Sequence, residues 1–157
     1  MNENPVYQTA LNSAMEVCSR REYCRNDIIL KLRSWGVENS DADKIMDVLI
    51  TENFINESRY AKAFAKDRFS YNKWGKIKIA SHLKMKKIPS EIIMSALDSI
   101  DSDAYIELLN ELMTTHRRTV KARNNNELKA KLLRYGLSKG FESSLLYDML
   151  NNIEETD

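Results

Sequence analysis

The side chains best able to do chemistry in this chain are its lysines and arginines, because of how they are grouped. From Arg59 to Lys87 there are ten basic residues and one acidic residue, Asp67. Lys73, Lys76, Lys78, Lys84, Lys86 and Lys87 fall within fifteen residues of that stretch, beside Tyr71 and Trp74. Clustered cations attract polyanions or acidic protein surfaces, and aromatic rings among them can stack on bases. Trp74 beside Gly75 also suits burial, and packing is the preferred reading for it. Other chemistry finds little support. Cys18 and Cys24 are separated by five residues, and His82 and His116 are distant, so the spacings that zinc favours are missing. The four glycines are isolated and build no phosphate-cradling loop. Asp101 and Asp103 sit at an inferred helix start, where carboxylates favour the positive end of the helix dipole, so capping outranks acid–base catalysis. His82 and His116 lie in basic segments with no triad partner and are expected to face solvent or a partner. A non-enzymatic binding protein without a cofactor or metal is expected.

The basic grouping recurs. Arg20 to Arg33 holds five basic and two acidic residues, and Glu38 to Glu57 six acidic and one basic. After the Arg59–Lys87 stretch, Ile88 to Met113 holds six acidic and no basic residues. Thr114 to Arg134 holds seven basic and one acidic, and Phe141 to Asp157 five acidic and none basic. Any one such run suits a solvated helix face. Threefold recurrence in a chain of net charge +1 points to a purpose.

The elements that must position these charges recur too. Val37, Ile88 and Phe141 each begin a run with apolar residues at +4, +5, +8, +9 and +12, broken only by Asp41. That spacing is one face of an α-helix. The residue before each anchor is Gly36, Lys87 or Gly140, the slot of a helix C-cap with positive φ. Upstream lie Ile28, Ile29 and Leu32; Ile77, Ile79 and Leu83; and Leu132 and Leu133. A first helix in each repeat is marked by Ala14, Val17 and Cys18; by Tyr60, Ala61, Phe64, Ala65 and Phe69; and by Tyr105, Ile106, Leu108, Leu109 and Leu112. A longer connection is expected from about Thr114 to Asn126. Asn56, Ser102 and Asn126 are candidate N-caps, Ser40 with Asp43 resembles a capping box, and Pro89 suits a helix start.

The chain therefore reads as all-α: three tandem three-helix repeats forming an elongated, curved array, with repeats at 1–54, 55–102 and 103–157. Only 4 glycines and 2 prolines argue against a many-stranded β fold. No membrane span is expected, and Met1 to Tyr7 lacks the basic and apolar regions of a secretory signal. Two cysteines make no disulfide framework, so a cytoplasmic setting fits.

The stretch from Cys18 to Ile28, followed by Leu32 and Gly36, resembles the first repeat of the RecX family, the bacterial regulators of the RecA recombinase. Phe54 to Ala61, then Phe64, Arg68, the run Lys73 to Lys76, Ile79 and Leu83, resembles the second repeat. Lys139 to Phe141 and the helix beyond resemble the third. Three departures concern caps: Cys24 where the family usually has serine or threonine, Glu57 where it has aspartate, and Lys87 where it has glycine.

The resemblance implies a cytoplasmic protein that binds in the groove of the RecA–DNA filament and suppresses its assembly, ATPase and strand exchange, with direct DNA binding in some members. A monomer is expected. The contact residues proposed from the basic segments are Arg20, Arg21, Arg25, Lys73, Lys76, Lys78, Lys84, Lys86, Lys87, Arg117, Arg118 and Lys121. Two other readings remain. One is a direct single- or double-stranded DNA-binding helical protein without a recombinase partner. The other is a helical scaffold for a different protein.

Overall fold

Hydrophobic periodicity is realised as helix throughout. The computed structural model describes residues 4–153; Glu154, Glu155 and Asp157, counted above among the last acidic residues, lie outside the described residues. The described residues form nine helices and no strand: α1 (Pro5–Arg20), α2 (Arg25–Ser34), α3 (Asn39–Thr51), α4 (Glu57–Ser70), α5 (Lys76–Met85), α6 (Ser90–Asp98), α7 (Ser102–Thr119), α8 (Asn125–Ser138) and α9 (Ser143–Asn151). They follow one another as three tandem trios, so the fold is all-α.

The second helix of every trio ends the same way. Gly36, Lys87 and Gly140 have φ of 80°, 62° and 92°. The next residue donates its backbone N–H five residues back: Val37 to the Leu32 carbonyl (3.0 Å), Ile88 to Leu83 (3.2 Å) and Phe141 to Gly136 (3.1 Å). This left-handed cap satisfies helix-end carbonyls and turns the anchor residue inward. The three anchors are all buried. Lys87 adopts the glycine conformation with a Cβ, which costs about 1–2 kcal/mol. Replacing it with glycine recovers that cost but loosens the unfolded chain by about 0.4–1 kcal/mol. Lys87→Gly should therefore raise stability by about 0.5 kcal/mol in urea denaturation, and a clear loss would refute this account of the cap.

Helix starts differ in part from expectation. Asn56 caps α4, accepting from Arg59 N at 2.9 Å. The cap of α7 is Asp101, accepting from Ala104 N at 2.8 Å, and not Ser102. The cap of α8 is Asn124, accepting from Glu127 N at 2.9 Å, and not Asn126. Each true cap lies three residues before the N–H it binds, a reach that Ser102 and Asn126, already inside the helix, no longer have. Ser40 and Asp43 form no capping box, because α3 begins at Asn39 with Glu38 in the cap position. Cys24 holds the cap position of α2, is fully buried and makes no capping bond. The long connection expected from Thr114 shrinks because α7 continues to Thr119.

Two compact units emerge from the packing, and each takes part of the middle trio: one comprises the chain up to Ala63 with Leu83–Ser95, the other Phe64–His82 with the chain from Ala96 onward. In the first, α1, α2 and α3 pack mutually. Its core includes Tyr7, Ala10, Ala14, Ile28, Leu32, Val37, Ile45, Met46, Leu49 and Ile55. In the second, α8 packs on both α7 and α9. Tyr105, Leu109, Met113, Leu132, Phe141, Leu146 and Leu150 are buried there. Ile77 and Ile106, read above as stripe residues, are 58% and 40% exposed. Ile77 lies two residues from the buried Ile79 and Ile106 one residue from the buried Tyr105, offsets that turn each away from the buried face, so apolar type alone misplaced them. No described helix is long and apolar enough to cross a membrane.

Candidate functional site

Two cationic sites are built by one construction: the start of a second helix meets the cap that follows the second helix of the next trio. In the first unit, the start of α2 faces the turn between α5 and α6. Arg25, Asn26, Ile29, Arg33, Glu57, Lys86, Lys87 and Pro89 line a cleft of about 300 Å3 there. Lys86 Nζ donates to Asp27 Oδ1 at 2.6 Å. The Arg25 backbone N–H donates to Glu57 Oε2 at 3.3 Å. Burial pushes the Glu57 carboxyl above its usual range, while that N–H and the Arg25 charge oppose the shift. Among the described residues the side chains of Arg25, Arg33 and Lys87 make no ion pair. Four cations therefore face two carboxylates, and the rim is positive. Beneath it, burial pushes the Cys24 thiol up to about 11, so it is an inert packed group at neutral pH.

In the second unit, the start of α5 meets the turn between α8 and α9. Gly75 N donates to the Lys139 carbonyl (2.8 Å) and Ile77 N to the Gly140 carbonyl (2.9 Å). Lys76 N donates to the Tyr105 hydroxyl at 2.9 Å, and that hydroxyl donates to Glu142 Oε1. Lys78 Nζ lies 4.8 Å above the Trp74 ring and donates to the Ser138 carbonyl at 3.5 Å. Lys139 Nζ donates to the Asn72 carbonyl at 3.2 Å. Burial, then Lys78, then Lys73 pull the Lys139 pKa down.

The remaining proposed contact residues are dispersed. Arg20 is ion-paired to Glu16 along α1. The Arg21 guanidinium lies 4.4 Å over the Tyr23 ring. Lys76 Nζ stands 4.8 Å over Tyr105. Lys84 is exposed on α5, Arg117 and Arg118 are exposed in the last turn of α7, and Lys121 is exposed beyond it. The structure thus brings Arg25, Lys86 and Lys87 into one cleft, and Lys73 and Lys78 into another group. It adds Arg33, which belongs to the first basic run but not to the proposed contact residues, and Lys139, which lies outside the basic runs. Lys139 stands before Gly140 as Lys86 stands before Lys87, so aligning the caps would have found it.

The histidines are not solvent-facing reporters. His82 packs on Trp74 with ring centroids 4.5 Å apart, and His116 stacks on Tyr135 at 3.8 Å. Trp74 is half-buried, held by His82, Lys78 and the Arg68 guanidinium at 5.4 Å. No group of three or more metal-capable side chains occurs among the described residues.

Comparison with known proteins identifies what carries these sites. A family model described as "RecX, second three-helix domain" matches residues 56–97. The regulatory protein RecX of Clostridium acetobutylicum is 28% identical over 155 residues, covering 96% of this chain and 72% of that protein. That of Clostridioides difficile is 25% identical, covering 99% and 73%. Over nearly its whole length the chain is similar to regulatory RecX proteins, and its middle trio matches that family's second three-helix domain. Two crystal structures share its fold: one of a regulatory protein RecX, with a TM-score of 0.84 at 22% identity over 94% of this chain and 72% of that one, and one of RecX from Lactobacillus salivarius, with a TM-score of 0.82 at 21% identity over 97% and 98%. The RecX family model falls on the middle trio, which supplies Lys86 and Lys87 to the first site and Lys73, Trp74 and Lys78 to the second.

Proposed function

We propose that this protein binds the RecA–DNA filament and inhibits recombinase activity, acting as a monomeric, non-enzymatic regulator in the cytoplasm. The single observation that carries this reading is the cationic cleft at Arg25, Arg33 and Lys87, built on the cap of the trio that the RecX family model matches. The repeats are taken as 1–54, 55–102 and 103–157. Contacts from successive trios add up: each is modest, and linking them makes later contacts intramolecular, which multiplies affinity without strong individual sites. The cations meet acidic recombinase surface and DNA phosphate, and acidic third helices limit non-specific attraction.

The test is titration of the protein into a RecA ATPase assay on single-stranded DNA. ATP hydrolysis should fall as the protein approaches stoichiometry with the filament. Arg33→Gln with Lys87→Gln should raise the half-inhibitory concentration about tenfold, equivalent to about 1.4 kcal/mol. An unchanged ATPase rate at stoichiometric protein would remove the proposal.

A further inference from the structure

The two sites share a frame but differ in charge at one position. Asp27 is the third residue of α2 and Lys78 the third residue of α5. Lys86 and Lys139 each precede a residue of positive φ, Lys87 and Gly140. In the first site the frame places a carboxylate against a lysine, and they pair at 2.6 Å. In the second, the same frame brings Lys78 beside Lys139: Gly140 packs against Lys78, whose Nζ reaches the Ser138 carbonyl, and Lys139 Nζ reaches the carbonyl of Asn72, the residue before Lys73, so a third cation adjoins them. No carboxylate pairs with any of these three lysines among the described residues. Lys78 and Lys139 are half-buried. Like charges brought together and partly desolvated raise the free energy of the fold unless a counter-ion joins them. Among the described residues the chain supplies a paired counter-ion at the first site and none at the second.

The donors describe the missing partner. An ammonium group has three N–H donors. Lys78 and Lys139 each spend one on a carbonyl, Ser138 and Asn72, which holds the side chains in place. The remaining donors, with those of Lys73, outnumber the two coplanar oxygens of a carboxylate. A tetrahedral oxyanion offers more acceptors in more directions, and lysine meets it as a point charge without the planar match that arginine gives to carboxylates. Trp74 forms an apolar wall under Lys78 that lowers the local dielectric.

We propose that Lys73, Lys78 and Lys139 form a binding site for a single phosphate group. This deepens the functional reading by assigning the ligand chemistry of one contact, and it is measured with no recombinase present, so either can fail alone. A phosphodiester of single-stranded DNA and free inorganic phosphate share that chemistry.

The experiment follows a fluorescently labelled single-stranded 20-mer by anisotropy as the full chain is added, over a range of salt. Lys78→Gln with Lys139→Gln should weaken binding at least tenfold and flatten the salt dependence by about 0.7 in the log–log slope, the share of one phosphate on a single strand. Lys78→Arg with Lys139→Arg should retain most of the affinity. Thermal melting checks the fold: the glutamine variant should melt no lower than the parent, because it removes a repulsion. If it does not fold, Lys73→Gln on the exposed turn should give a smaller loss in the same direction. Inorganic phosphate at fixed ionic strength separates the sources. If it displaces the oligomer from the parent and raises the melting temperature of the parent but not of the variant, free phosphate suffices. If it does neither while the lysine dependence holds, the site takes phosphodiester. Oligomer affinity equal in parent and variant would overturn the proposal. So would poly-glutamate binding that depends on the lysines while DNA binding does not, which would make this an acidic-protein contact.

Discussion

Gly140→Ala should be among the most damaging single-methyl changes in this protein, costing about 3 kcal/mol. At φ 92° an alanine is strained by about 1 kcal/mol before any contact is considered. Its Cβ would also overlap the Cβ of Lys78 and lie 2.8 Å from the Lys78 backbone N. A backbone atom in a helix cannot swing aside, so the start of α5 must move. Movement there breaks the Gly75–Lys139 and Ile77–Gly140 backbone bonds, and overpacking of this kind costs about 1–3 kcal/mol. Gly36→Ala provides the control. It shares the positive φ, 80°, but has nothing within 4 Å of the added methyl, so only the conformational cost of about 1 kcal/mol applies. Urea denaturation of the two variants should separate them by about 2 kcal/mol. Equal losses would mean that the tight approach of α5 to the α8–α9 turn contributes nothing. Gly75→Ala attacks the same approach from the other side, since its Cβ would overlap the Gly140 carbonyl.

Tyr105→Phe should cost about 2 kcal/mol and change how stability responds to alkali. The ring is 3% exposed and touches Phe141, with centroids 5.2 Å apart, so phenylalanine keeps the packing. What disappears is a hydroxyl that accepts from Lys76 N and donates to Glu142. Removing it leaves both groups short of a partner in a half-buried place, and such orphaning costs about 1–3 kcal/mol. Burial, and then the bond to Glu142, raise the Tyr105 hydroxyl well above the ordinary tyrosine range, with the Lys76 N–H opposing. The unfolded chain therefore loses this proton first. The stabilisation is complete below about pH 10 and declines as pH climbs from there toward the higher folded value. Each proton adds a slope of about 1.4 kcal/mol per pH unit in that window. Burial raises Tyr60 as well, so the variant should still decline, but with one proton less of slope. Denaturation at pH 8 and pH 11 checks this: the gap between parent and variant should narrow at pH 11. A constant gap would show that the hydroxyl does not carry the linkage.

These variants mark how far the amino-acid order reaches. The helical trios were legible because each buries a stripe at +4, +5, +8, +9 and +12 from its anchor, and periodicity of that kind is a local property. The caps were legible for the same reason: Gly36 and Gly140 advertise positive φ, and their common offset from the anchors exposed Lys87 in the same role. Helix starts were less legible, because Asp101 and Ser102, or Asn124 and Asn126, offer similar side chains one or two residues apart. Only the emerging N–H groups select among them.

The charge runs were visible as runs, which is all that order along a chain can state about them. Whether two cations share a site depends on residues about sixty positions apart, such as Asp27 with Lys86 and Lys78 with Lys139. Tertiary packing alone decided that the first pair attracts and the second repels, because a turn in one trio meets a helix start in another. It also decided that Gly75 and Gly140 touch and that the Tyr105 hydroxyl bridges Lys76 and Glu142. The physical reason is range. Helix propensity, amphipathic spacing and capping act within about a turn or two of helix and are written locally, whereas Coulomb energy and close packing depend on separation in space.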